Sequence, residues 1–184
     1  PLYIIGAMPP VWFLWLGLTG GLGVEPITAL EHRLGELALQ VFVVVLAITP
    51  LRDLTGVNLI RFRRALGLLV FFYVFLHLLV WLVLDVQIPA QIWADIVKRP
   101  YITIGMAGFV LLIPLALTSN DRALRRLGSK LWRRVHWLAY PATLLAAVHF
   151  VMLAKTWQVE PLAYLAAVVG LLVLRIPASR RRAA

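Results

Sequence analysis

Six apolar stretches, at about 2–18, 34–50, 65–86, 101–118, 135–154 and 161–176, constrain this chain more than any other feature. Each runs for about 16–22 residues, near the ~20 that a helix needs to cross a hydrocarbon core of ~30 Å. In lipid the backbone must satisfy its own polar groups, so such stretches are expected to be helices. The expected fold is an all-α integral membrane protein, one six-transmembrane-helix bundle over residues 1–184. Hydrophobic residues make up 62% of the chain and charged residues 14%, whereas soluble domains carry about a quarter charged residues. The chain begins at Pro1 rather than methionine, which implies a processed or longer N-terminus. Leu2–Leu18 lacks the small-residue cleavage site of a signal peptide.

The breaks between the stretches are polar or glycine-rich. Gly20, Gly21, Gly23 and Pro26 mark the first connection. Residues 89–100 contain Trp93 and suit a short helix at the membrane interface, where tryptophan is favoured. Basic residues concentrate on one side of a six-span topology. The second connection holds Arg52, Arg61, Arg63 and Arg64. The fourth holds Arg122, Arg125, Arg126, Lys130, Arg133 and Arg134, and the tail holds Arg175, Arg180, Arg181 and Arg182. These are 14 of the 18 basic residues; Arg33, Lys98, Arg99 and Lys155 fall on the other side. The positive-inside rule then places both termini and the second and fourth connections in the cytoplasm. The net charge of +10 follows from this flanking pattern. No docking motif or basic groove accompanies it, which excludes nucleic acid as a partner.

With no cysteine in the chain, thioether-linked haem, a thiol–disulfide relay and disulfides are all excluded. Histidines in or at the edge of the apolar stretches point instead to a metal cofactor held through imidazole, most simply non-covalent haem. His77 lies about 18 Å into the third stretch from Ala65, and His149 about 21 Å into the fifth from Val135, at 1.5 Å per residue. Both helices enter from the same side, so the two imidazoles reach matched depth. An imidazole in hydrocarbon is costly and marks function by default. Two at one level suit the axial ligation of a single haem iron. His136, thirteen residues before His149, falls near the cytoplasmic surface. His32 falls in the outer connection or at the rim of the second stretch, and is read as solvated or structural.

Helices bearing histidines thirteen or fourteen residues apart resemble the ferric-reductase-like transmembrane family, which includes NADPH oxidases and stacks two haems between two helices. Here the fifth stretch carries such a pair, His136 and His149, but the third carries His77 alone, with Arg63 and Arg64 at the earlier position. Arginine is a poor iron ligand and a good partner for a propionate or phosphate. Thirteen residues leave two side chains about 140° out of phase on a straight helix, and Pro141 is expected to kink the helix and restore the phase.

A closer resemblance runs through Gly21-Leu22-Gly23-Val24-Glu25-Pro26, Ile48-Thr49-Pro50-Leu51, Arg63-Arg64-Ala65-Leu66-Gly67, Lys98-Arg99-Pro100-Tyr101-Ile102-Thr103-Ile104-Gly105, Thr118-Ser119, Leu127-Gly128 and Trp132 through His136. These segments are similar to the MsrQ/YedZ family of haem-binding subunits of bacterial periplasmic methionine-sulfoxide reductase systems. Glu25 stands where that family leads us to expect aspartate. The resemblance implies a six-span haem b protein associated with FMN. It would take electrons from a cytoplasmic NAD(P)H flavin reductase and pass them to a periplasmic molybdopterin methionine-sulfoxide reductase that repairs oxidised proteins. It implies His77, His149 and His136 as haem residues: an outer haem between His77 and His149, and an inner site at His136 with Arg63 and Arg64 that holds a second haem or FMN. The chain would be an electron-transfer subunit, not the sulfoxide-reducing one. The alternatives are a membrane ferric or quinone reductase of the same architecture, or a non-redox transporter-like bundle.

Overall fold

The computed structural model describes residues 2–154 and 158–181, with side chains described as far as Arg175; Pro1, Lys155 and Arg182 lie outside the described residues. Among the described residues there are eight α-helices, α1 (Leu2–Leu18), α2 (Pro26–Thr55), α3 (Arg63–Val80, preceded by a 3-10 turn over Ile60–Phe62 and continued by a π-helical turn over Trp81–Val86), α4 (Pro89–Lys98), α5 (Pro100–Leu117), α6 (Asp121–His136), α7 (Ala139–Leu153) and α8 (Val159–Arg181). No strand occurs among the described residues. Among the described residues, four segments are long and apolar enough to cross a membrane: Pro26–Thr55, Ile60–Val86, Pro100–Leu117 and Asp121–Leu153, the last counted across the turn between α6 and α7. Leu2–Leu18 is a shorter apolar helix.

Three expectations about the connections are corrected. The first connection was expected to run to residue 33, but α2 starts at Pro26. Proline at the first helical position needs no N–H partner and presets φ, so the helix begins there and carries Glu31, His32 and Arg33 in its first turns. The helix also overruns residue 50, ending at Gly56, whose φ of +80° closes it with an N–H bond to the Arg52 carbonyl. Second, residues 121–134 are not a loop but most of α6. Asn120 caps that helix by accepting the Ala123 N–H at 2.8 Å, and Leu124, Leu127, Leu131 and Val135 recur at helical spacing. Gly128, at φ 71° and ψ 161°, interrupts it.

The third correction concerns His136. It is the last residue of α6, and a turn at Trp137–Leu138 separates it from α7. The two histidines therefore belong to separate helices divided by a turn before Ala139, so the phase count for one straight helix kinked at Pro141 does not apply to them. Pro141 sits in the first turn of α7, where a missing N–H costs nothing.

Small residues let the helices approach. A Cβ on Gly108 of α5 would lie 3.6 Å from Leu145 Cβ and 3.8 Å from the Ala142 carbonyl of α7, as membrane bundles prefer. Phe42, Val70, Leu112, Leu115 and Ala142 bury one core between α2, α3, α5 and α7. Leu39, Leu46, Ala147 and Val168 bury another between α2, α7 and α8. Large apolar side chains of α1, among them Ile4, Val11, Trp12 and Trp15, remain exposed, as a lipid-facing helix requires.

Pro9, Pro10, Pro50 and Pro114 lie inside helices and interrupt the helical ladder, and at Pro10 and Pro50 a side chain from another helix fills the gap. Pro10 has no N–H for the Gly6 carbonyl, and the Tyr73 hydroxyl of α3 donates to that carbonyl at 2.6 Å. Pro50 likewise leaves the Leu46 carbonyl without its partner, and the Arg175 guanidinium of α8 donates to it at 2.6 Å. In a bilayer, where water is scarce, neighbouring helices are the natural source of such donors.

Candidate functional site

His77 and His149, placed on α3 and α7, face each other across a cavity of about 290 Å³. Their ring centroids are 6.3 Å apart and their planes 79° from parallel. The two rings are held alike. His77 Nδ1 donates to the Glu31 carbonyl of α2 at 2.9 Å, and His149 Nδ1 donates to the Tyr101 carbonyl of α5 at 2.7 Å. A carbonyl can only accept, so it fixes the proton on Nδ1 and leaves Nε2 of each ring as the free lone pair. Metal-ligating histidines are oriented in this way by their other nitrogen.

Glycine makes both contacts sterically possible. Gly35 lies one turn after Glu31, and a Cβ there would come within 3.2 Å of His77 Nδ1. Gly105 lies one turn after Tyr101, and a Cβ there would come within 2.9 Å of His149 Nδ1. Each imidazole thus rests in a notch of the adjacent helix. None of these four residues was singled out as part of the site from sequence. Backbone carbonyls carry no side-chain signature, and the two glycines acquire their meaning only once each lies beside a histidine ring.

The site fits haem. The 6.3 Å between ring centroids leaves room for one metal ion between the two imidazoles, since metal–imidazole bonds run about 2 Å. The walls are mainly apolar, with Phe42, Val74, Met106, Phe109, Leu112 and Phe150 among them. One end is polar and includes Glu31, His32, Asp85 and Arg99. His32 is exposed there, as a solvated residue would be, yet it lines the cavity mouth. Arg99 is tied to Asp95 at 3.1 Å and to the Tyr101 hydroxyl at 3.2 Å. The Tyr101 hydroxyl first, and then the Asp95 carboxylate, push the Arg99 guanidinium above its ordinary range, so Arg99 is a permanent cation at the mouth.

His136 lies at the other end of the bundle and faces no second imidazole. Its ring stacks on Trp132 with centroids 3.7 Å apart. Nδ1 bonds the Trp132 carbonyl at 3.0 Å, and Nε2 lies 3.4 Å from the Ser119 hydroxyl. Arg63 and Arg64 are close enough for their charges to act on it. Arg64 also pairs with Asp121 at 2.7 Å, joining the starts of α3 and α6. The structure therefore brings His77 together with His149, and His136 together with the two arginines, in two separate places. Among the described residues no cluster of three or more histidine, aspartate or glutamate side chains could hold a bare metal ion.

Residues 34–148 match the family model of the ferric reductase like transmembrane component. Among curated proteins, those named protein-methionine-sulfoxide reductase heme-binding subunit MsrQ from Brucella ovis and from Brucella suis are each 48% identical over 176 residues. The aligned segment covers 95% of this chain and 80% of each relative. No solved structure matches the chain.

Proposed function

Because this chain belongs to the MsrQ family of haem-binding subunits, within the ferric reductase like transmembrane proteins, we propose that it conducts electrons across a bacterial inner membrane on a haem b held between His77 and His149. The observation that carries this reading is the 6.3 Å separation of two imidazoles whose Nδ1 protons are both committed to backbone carbonyls. Bound haem would supply one-electron chemistry at its iron. The chain's own part is to present two Nε2 lone pairs at fixed distance, exclude water with an apolar wall, and hold both rings in one tautomer.

The helices α1, α2, α3, α5, α7 and α8 are the six spans, with both termini cytoplasmic. The basic asymmetry supports this even with buried Arg175 left out. Reporter fusions in 56–62 and at the C-terminus should report a cytoplasmic location, and fusions in 19–25 a periplasmic one. A periplasmic C-terminus would reverse the direction of electron flow argued here.

On that orientation His136, Arg63 and Arg64 form the inner site, which holds a second, weaker-bound cofactor, a haem or FMN. The basic face of α6 receives a cytoplasmic NAD(P)H flavin reductase. The His77–His149 site lies towards the periplasm, where a molybdopterin methionine-sulfoxide reductase collects electrons. The test is reconstitution in membranes with a flavin reductase, NADH and the periplasmic enzyme. Sulfoxide reduction should require this chain, vanish with His77→Ala, and weaken as salt screens the exposed basic face within about 8–10 Å. Haem reduction that the periplasmic enzyme never reverses would favour a ferric or quinone reductase instead.

A further inference from the structure

Arg175 counts, from sequence, with the basic tail. The structure places it elsewhere. Its relative exposure is 9%, and it reaches into the bundle between α2, α7 and α8. Nη2 donates to the Leu46 carbonyl at 2.6 Å and to the Val45 carbonyl at 3.4 Å, while Nη1 donates to the Tyr140 hydroxyl at 3.2 Å. The guanidinium also lies 5.4 Å from the centroid of the Tyr140 ring. Nε is buried without a hydrogen-bond partner. No carboxylate pairs with it among the described residues, where the ion pairs are Arg52–Asp53, Arg64–Asp121 and Arg99–Asp95.

A buried cation with no counter-ion is expensive, and more so in a membrane. Closing the carbonyl freed by Pro50 accounts for part of its retention, but a neutral donor closes the equivalent gap at Pro10, where Tyr73 serves. The charge itself is left over. Its position suggests a use. Leu46 lies one turn from Phe42, and Tyr140 lies two residues from Ala142; Phe42 and Ala142 line the cavity between the two histidines. Tyr140 also follows His136 by four residues, across the turn between α6 and α7. Arg175 thus stands between the His136 end and the His77–His149 cavity.

We propose that Arg175 is a positioning residue for electron transfer, a fixed positive charge that raises the reduction potential of the haem between His77 and His149 while holding α2 and α7 in register. The proposal rests on the haem-conduit reading above. Haem held by His77 and His149 would supply one-electron chemistry, and an electron delivered to it by the flavin reductase proposed above would add one negative charge to the site with no bond made or broken. A permanent cation nearby, in a region of low dielectric, favours that added charge.

The experiment uses the full chain purified with its haem, comparing wild type, Arg175→Lys, Arg175→Gln, Arg175→Met and Tyr140→Phe. Each Arg175 variant is also made with Pro50→Ala, which returns an N–H to the Leu46 carbonyl. The readouts are the haem midpoint potential, the low-spin spectrum and thermal stability. Arg175→Gln and Arg175→Met should shift the midpoint to more negative values with the low-spin spectrum retained. Arg175→Lys and Tyr140→Phe should hold it close to wild type. Pro50→Ala should recover stability lost in Arg175→Met without recovering the midpoint, and it provides a folded sample where Arg175→Met alone is too unstable. A wild-type midpoint in haem-loaded Arg175→Met with Pro50→Ala would overturn the proposal and leave Arg175 a helix fastener. Wild-type protein that holds no haem would overturn the conduit reading as well, so the two failures are told apart.

Discussion

Replacing His77 or His149 by alanine should abolish the low-spin signature of the haem-loaded protein, in optical and electron paramagnetic resonance spectra alike. Each substitution removes one of two axial donors. The remaining imidazole stays tethered, His149 to the Tyr101 carbonyl or His77 to the Glu31 carbonyl, so loss of the first ligand does not release the second to search for a substitute. The expected product is a five-coordinate, high-spin or haem-free protein. His32→Ala is the matched control: it too removes a cavity-lining imidazole, and it should leave the low-spin signal in place. His136→Ala should also leave that signal, because its ring is committed to Trp132 and Ser119 at the other end of the bundle. An unchanged low-spin spectrum in His77→Ala would mean that the ligands are assigned wrongly.

Gly105→Ala is expected to have the next largest effect, although it adds one methyl group and touches no ligand atom of the haem. The new Cβ would lie 2.9 Å from His149 Nδ1 and 3.0 Å from Cε1, closer than such atoms can stand. Ring or helix must shift, and the short bond to the Tyr101 carbonyl is strained or lost. Overpacking of this kind costs about 1–3 kcal/mol, which corresponds to about 5- to 150-fold weaker haem retention at about 1.4 kcal/mol per tenfold. Gly35→Ala meets His77 at 3.2 Å, so its effect should lie at the lower end of that range. Haem content after a dilution series measures both. Equal, undiminished retention in the two variants would show that the notches do not position the imidazoles.

Much of this was legible in the sequence, and what was not has physical causes. The apolar stretches are almost wholly helical, as lipid demands of a backbone, and only the fifth is broken, by the turn at Trp137–Leu138. His77 and His149 could be matched in depth because both were counted from polar breaks at a known rise per residue. What holds their rings could not be read directly, since the partners at Glu31 and Tyr101 are backbone carbonyls and carry no side-chain signature. The extent of α2 was underestimated because Glu31, His32 and Arg33 look like a loop, whereas Pro26 is the true start. The leucine spacing in residues 124–135 was a sufficient sign of α6, outweighed in reading by its many arginines. The break after His136 has neither glycine nor proline to announce it. Arg175 was grouped with Arg180–Arg182 by charge alone, and its link to Pro50 exists only once α2 and α8 are side by side.

The central claim, that His77 and His149 together ligate one haem, is tested most directly by low-temperature electron paramagnetic resonance of the oxidised protein, with haem quantified on the same sample. Imidazole planes crossed at 79° predict a strongly anisotropic low-spin ferric signal that accounts for one haem per chain and disappears in His149→Ala. A preparation whose haem is wholly high-spin, or whose low-spin signal survives the loss of His149, would contradict the account.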